Sequence, residues 1–273
     1  MKINRLIFAA LLVSLQIISC KNADNDKNKN WDLVWSDEFN YNGLPDSIKW
    51  GYDVGGHGWG NQEKEYYTAS RLENARVENG NLVIEARKEN MDSSEYTSAR
   101  LVTRDKMDWL YGRFEIRAKL PSGRGTWPAI WMLASKHTYG ENYWPENGEI
   151  DIMEHVGFHP GHIHASTHSL KYYWQKGTQR TDTIFVKDAS DAFHNYIMEW
   201  DPEVIKVYMD DSLYFTSVND KTGWDAWPFD KPFYIILNIA VGGAWGGQQG
   251  IDDTIWPQKM EVDYVRVYKR KQK

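Results

Sequence analysis

WPENGEIDIMEHVG, residues 144–157, sets three carboxylates, Glu149, Asp151 and Glu154, among apolar residues that favour extended backbone. Successive side chains of a strand alternate faces, so Glu149 and Asp151 share one face while Ile150 and Ile152 take the other. Plain alternation then sends Glu154 to the wrong side. A one-residue bulge near Met153 restores it, because two residues of a bulged strand occupy the place of one. The segment therefore predicts a bulged strand with all three acids on one surface.

An exposed strand with an acidic solvent face carries the same spacing. The neighbouring Trp127, Trp131, Trp144 and Trp174 point elsewhere, since a solvated acidic face has no need of large rings. Paired carboxylates beside aromatic platforms suit glycoside hydrolysis, in which one acid protonates the leaving oxygen and the other attacks the anomeric carbon or activates water. A divalent-cation site ranks second. Such sites draw further oxygen ligands from a turning loop, which this straight apolar segment does not offer.

The rest of the chain from Trp31 onward also reads as strands and turns. Phe114, Ile116, Ala118 and Leu120 alternate with Arg113, Glu115, Arg117 and Lys119, the period of a half-buried strand. Tyr196, Met198 and Trp200 precede the turn Asp201-Pro202-Glu203, and Ile205, Val207 and Met209 follow it, as in a hairpin. Further apolar runs lie at 82–86, 233–241 and 262–268, and no stretch keeps a helical period. Many short strands without helices predict one all-β domain over 31–273, a sandwich of two curved antiparallel sheets or a barrel. In a curved sandwich the concave face forms a groove lined by inward-pointing residues of neighbouring strands.

The segment 162–168 alternates so that His162, His164, Ser166 and His168 share a face, and it is expected beside the acidic strand. Five of the eight histidines fall between His155 and His168. Catalytic zinc wants three converging protein ligands, and the spacing fixes no such set; hydrogen bonding to a sugar or a carboxylate suits His168 better.

Net charge is -6 with a pI near 5.8, so neither nucleic acid nor an anionic membrane surface is a natural electrostatic partner. The 14 tryptophans exceed the needs of a core, and rings in a groove stack on the apolar faces of sugars. Lys2 and Arg5 open the chain, 6–18 is mostly apolar but too short to span a bilayer, and Ile-Ile-Ser-Cys closes it at Cys20. This pattern resembles a bacterial lipoprotein signal over 1–19 with lipidation on Cys20, the one cysteine of the chain. Residues 20–30 then read as a lipidated flexible linker. The expectation is an exported protein, lipid-anchored in the periplasm or at the cell surface.

Taken together, WSDEFN at 35–40, GWGNQEKEYYT at 58–68, YGRFEIRAKLPSGRGTWPAIWML at 111–133, WPENGEIDIMEHVG, LNIAVGGAWGG at 237–247 and MEVDYVRVY at 260–268 resemble glycoside hydrolase family 16, in its laminarinase-like branch. The resemblance implies a jelly-roll β-sandwich with a substrate groove on its concave face. It implies a retaining mechanism, with Glu149 as nucleophile, Glu154 as acid/base carrying a raised pKa, and Asp151, held by hydrogen bonds, between them. It places Trp144 at the cleavage point, Trp127 and Trp131 as groove platforms or one of them as core, and Trp245 over the groove. Asn61, Glu63, Arg87 and His168 fall where similar enzymes approach sugar hydroxyls. Glu38, Gly80 and Asp263 match a structural calcium site of relatives, and catalysis itself needs no cofactor. The bulged Glu-x-Asp-x-x-Glu is one residue longer than the lichenase form, and WPEN favours β-1,3-glucan over agar or carrageenan. The activity implied is endo-hydrolysis of β-1,3-glucan, with mixed-linkage β-1,3/1,4-glucan as a further substrate, by a monomer. A non-catalytic surface β-glucan-binding lipoprotein and a transglycosylase are the alternatives.

Overall fold

The computed structural model describes residues 29–272. Seventeen strands, numbered in chain order, form two sheets. The seven-stranded sheet runs β12 (Arg180–Phe185), β11 (His162–His168), β10 (Glu149–Glu154), β9 (Thr126–Ala134), β16 (Phe233–Val241), β7 (Arg100–Val102), β2 (Gly51–Asp53). The ten-stranded sheet runs β15 (Ser212–Val218), β14 (Val204–Met209), β13 (His194–Trp200), β8 (Gly112–Lys119), β17 (Gln258–Arg270), β5 (Asn81–Met91), β6 (Ser94–Ser98), β3 (Glu65–Tyr67). There β1 (Trp31–Asp37) adds to β17 and β4 (Ala75–Glu78) to β5. All pairings are antiparallel except that of β3 with β6.

The period-two pattern selects the faces. Phe114, Ile116 and Ala118 of β8, and Tyr196 and Met198 of β13, are fully buried between the sheets, against Ile130 and Met132 of β9 and Ile235, Leu237 and Ile239 of β16. The predicted hairpin is β13–β14, with Trp200 opposite Ile205. On the outer face of the larger sheet Arg113 pairs with Glu115 along β8 and with Glu199 of β13, and Lys119 pairs with Glu261 of β17. Such surface pairs, still reached by solvent, add little stability, so packing between the sheets holds the sandwich.

Helix is confined to a 3-10 turn at Trp174–Lys176 and a single-turn helix, α1 (Gly243–Gly246), among the described residues. Strand β16 is buried along its whole length. One of its faces packs in the core, and the other carries Tyr234 and Ile236, which join Val102 and Leu133 in a second apolar cluster beneath Trp131, Tyr143 and Trp144. That second face of the smaller sheet, turned away from the core, is the groove face.

Candidate active site

Gly148 delivers the chain into β10. Its φ is 86°, and a Cβ there would lie 2.9 Å from both Pro228 and Phe229, so glycine is required on both counts. Glu149, Ile150 and Asp151 then pair in order with Leu133, Met132 and Trp131 of β9, but the next partners are Met153 with Ile130 and Glu154 with Ala129. The register slips by one residue, and Ile152 and Met153 both enter the core at 0% exposure. The predicted bulge is present, and Glu154 returns to the groove face opposite His164 of β11.

Each glutamate receives one indole N–H. Trp144 Nε1 donates to Glu149 Oε2 at 3.0 Å, and Trp127 Nε1 donates to Glu154 Oε1 at 3.1 Å. His168, opposite Glu149 on β11, brings Nε2 to 3.3 Å from Asp151 Oδ2 and 3.7 Å from Glu149 Oε1. Asp151 is not held by hydrogen bonds as expected. It is 2% exposed, and its Oδ2 has no hydrogen-bond partner.

Burial dominates the electrostatics. Loss of solvent pushes Glu149 up to about 8, aided by the Asp151 charge and opposed by His168 and the Trp144 indole. Glu154 rises to about 8 for the same first reason, again aided by Asp151 and opposed by His168 and Trp127. Burial alone raises Asp151 well above the carboxylate range. The raised pKa expected of Glu154 is thus shared by all three, and the site holds fewer than three negative charges near neutral pH.

The loop before β10 exists to place Trp144. Asn147 Oδ1 accepts from the backbone N–H of Thr138 and Tyr139, at 2.6 and 2.7 Å, while its Nδ2 donates to the carbonyls of Tyr139 and Tyr143. Glu146 accepts from Glu141 N and Asn142 Nδ2 at 2.7 and 2.8 Å. Pro145 follows a cis bond, and Tyr173 meets the Trp144 ring edge-on at 5.5 Å. The Glu and Asn of WPEN therefore act as scaffold, and the tryptophan is what they present.

On the other side of the acids a continuous polar wall runs beneath the groove. Trp131 Nε1 donates to Asn238 Oδ1 (2.7 Å), Asn238 Nδ2 to Tyr67 Oη (2.9 Å), and Tyr67 Oη to Glu63 Oε2 (3.0 Å), whose Oε1 accepts from Asn61 Nδ2 at 3.2 Å. Behind it Glu65 is fully buried, and burial first, then the Glu63 charge, raises its pKa. The Arg100 guanidinium lies between the Trp59 and Trp131 rings, 4.6 and 4.7 Å from their centroids. Trp131 is therefore a half-buried wall and not an open platform. Trp245, on α1, meets Trp127 at 5.7 Å and His164 at 4.9 Å, both edge-on, above the Glu154 end.

The sequence pattern of glycosyl hydrolases family 16 matches residues 62–266. The chain belongs to this family. It is 56% identical to a beta-glucanase of Rhodothermus marinus over 98% of this chain and 97% of that protein. In structure it resembles the laminarinase from Rhodothermus marinus, with a TM-score of 0.87 and 60% identity over 89% of this chain and 98% of that one. It also resembles the non-specific endo-beta-1,3(4)-glucanase SCLam, with a TM-score of 0.83 and 48% identity over 89% and 92% of the two chains. The two sheets are those of the family-16 jelly roll, as expected.

Two site expectations carried from family 16, and the lipidation expected at Cys20, need correction or placement. Arg87 does not reach the groove. It lies on β5 of the larger sheet, on the face it shares with Glu85 and Glu89, and pairs with both; alternation along that strand turns it away from the core and from the acids. Glu38 and Asp263 do not form a calcium cage: Arg266 holds Glu38 through two hydrogen bonds at 2.8 and 2.9 Å, and Arg117 pairs with Asp263 at 2.5 Å. Guanidinium groups already neutralise both carboxylates, and Gly80 could add only a backbone carbonyl, so this donor set does not fit the ion. Cys20 and the signal segment lie outside the described residues. Tyr67, Glu65 and Asn238 are the residues that sequence reading missed. Asn238 alone carried a signal, as the one polar side chain within the run FYIILNIAV.

Proposed function

We propose that this chain is a retaining endo-β-1,3-glucanase acting on laminarin-type glucan, with mixed-linkage β-1,3/1,4-glucan as a second substrate. The observation that carries the reading is the pair of glutamates at the two ends of β10, set on one face by the bulge and each bound by a groove tryptophan. The similar beta-glucanase and laminarinase support the substrate class.

Glu154 protonates the glycosidic oxygen while Glu149 attacks the anomeric carbon, so the leaving chain departs with the proton and a glycosyl ester forms on Glu149. Ester formation removes the Glu149 charge. Glu154, now ionised and relieved of that neighbour, takes a proton from water as the water attacks the same carbon and frees Glu149. Asp151, between the two, raises the proton affinity of both glutamates and so biases the cluster toward holding the proton that Glu154 delivers. Trp144 and Trp127 fix the acids and offer ring faces to the sugars, with Trp245, Asn61 and Glu63 extending the groove.

Incubation with laminarin, barley β-glucan and agarose, with early products resolved by anomer, tests this. Laminarin should release products that first appear as the β-anomer. Activity confined to agarose would end the glucan assignment, and no product from any polymer would favour the glucan-binding alternative. Predominant chain transfer at high acceptor concentration would favour the transglycosylase. The address is a separate proposal: the basic start, the apolar stretch and the lone Cys20 support a lipid-anchored exported form. Labelled palmitate incorporated by the wild type and lost in Cys20→Ser is the expected result.

A further inference from the structure

Glu149, Asp151 and His168 present one ligand atom each, and the three atoms lie within 4.8 Å of one another. They belong to adjacent strands in the body of the smaller sheet, with His168 directly opposite Glu149, so backbone pairing fixes their relative positions. His168 Nε2 stands 3.3 Å from Asp151 Oδ2 and 3.7 Å from Glu149 Oε1. Tetrahedral zinc with bonds of about 2.0–2.2 Å sets neighbouring ligand atoms about 3.3–3.6 Å apart. Two edges of the triangle already match to within a few tenths of an ångström, and rotation of the Glu149 side chain closes the third.

Two further observations point to a cation. Asp151 is 2% exposed and turns an Oδ2 without a hydrogen-bond partner toward His168. Among the described ion pairs, no lysine or arginine reaches any of the three active-site acids, and His168 is the sole basic partner. We infer that Glu149, Asp151 and His168 form a binding site for a transition-metal ion of the zinc class, and that its occupancy excludes glucan from the nucleophile. An imidazole nitrogen with two carboxylates selects zinc or copper over magnesium and calcium, which take oxygen donors. Trp144 holds Glu149 Oε2 and leaves Oε1, the oxygen nearer His168, for the metal. The fourth position faces the groove, where the Glu149 side chain keeps 17% of its surface exposed. Metal binding requires the ligands deprotonated, so each ion bound releases protons from the acid cluster and binding tightens as pH rises.

Equilibrium dialysis of the untagged protein against zinc chloride tests the metal site without any turnover; only its displacement by glucan rests on the proposed function. One zinc per chain is expected, with proton release, no comparable uptake of calcium or magnesium, and displacement by laminarin oligosaccharide. His168→Gln should weaken binding by more than about tenfold, since losing even an outer-shell partner of a ligand has that effect. His162→Gln, in the pair whose rings stack with His159 at 3.5 Å, should leave it unchanged. If His168→Gln fails to fold by circular dichroism, Asp151→Asn serves in its place with the same expectation. Absence of uptake at millimolar zinc, uptake undiminished in the folded ligand variant, or uptake lost in His162→Gln would each overturn the site.

Discussion

Replacing each indole by phenylalanine separates the roles of the two glutamates. Trp144→Phe removes the one N–H that binds Glu149, and Trp127→Phe removes the one that binds Glu154, at nearly equal lengths of 3.0 and 3.1 Å. A hydrogen bond to a charged group is worth about 1.5–3 kcal/mol, and one pH unit corresponds to about 1.4 kcal/mol. Each substitution therefore raises the pKa of its acid by about one unit or more, because it removes stabilisation of the ionised form alone. The consequences differ by role. A nucleophile must be ionised, so Trp144→Phe moves the acidic limb of the kcat/KM profile up and narrows the active range. A general acid must be protonated, so Trp127→Phe moves the alkaline limb up and widens it. The limbs belong to the coupled cluster and not to single groups, so the direction of each movement is the diagnostic quantity. Loss of ring stacking lowers the height of both profiles and leaves the positions of the limbs readable. Measurement on laminarin between pH 4 and 10 decides the matter: if both variants move the same limb, or if Trp127→Phe shifts the acidic one, the assignment of Glu154 as proton donor is refuted.

Glu154→Gln should be more stable than the wild type at high pH. The folded-state pKa is raised from 4.5 to about 8, so proton binding favours the folded wild type, and the benefit is lost as pH rises from the unfolded value through the folded one; the margin of the variant should grow to about 2–4 kcal/mol by pH 8 in urea unfolding and vanish near pH 4. Asn238→Leu leaves the Trp131 N–H without its acceptor and removes the bond that Tyr67 Oη accepts, though Tyr67 still donates to Glu63, and should cost about 1–3 kcal/mol with an unchanged denaturant slope; a loss below about 0.5 kcal/mol would show that the wall is not one network. Arg87→Ala should leave kcat/KM on laminarin within about twofold, the range of a surface change remote from the site, and a large rise in KM would restore Arg87 to the groove.

Which parts were legible follows from which interactions are local. The faces of β8, β13 and β14 were readable because burial on one side imposes period two on neighbouring residues. The bulge was readable because three acids that must share a surface cannot do so at their spacing without it. Arg87 failed for an instructive reason. Its place at the groove came from family resemblance alone, whereas in the structure it shares a face of β5 with Glu85 and Glu89 on the sheet that does not carry the acids. The wall behind the acids joins Tyr67 to Asn238 across 171 residues of chain, a pairing that no local pattern encodes. The scaffold role of Asn147 was hidden because its five partners are backbone groups of the preceding loop, which carry no sequence signature.

The bulge also settles a conflict between stability and chemistry. Three desolvated carboxyls destabilise the folded chain whenever they ionise, and a regular strand carrying Glu at two-residue spacing would seat one apolar side chain in the core between each pair. With the bulge, Ile152 and Met153 both pack at 0% exposure beside Ile130. The step that turns Glu154 into the groove thus adds a second buried side chain at the same position, worth about 1.5–3 kcal/mol of transfer free energy. That is the same order as the penalty of ionising one of the acids above neutral pH. Removing Met153 would therefore remove core packing as well as shift the proton donor, and loss of activity in that variant would not by itself identify the donor. The two indole substitutions leave β10 and its core contacts intact, which is why they, and not changes in the bulge, separate catalytic geometry from stability.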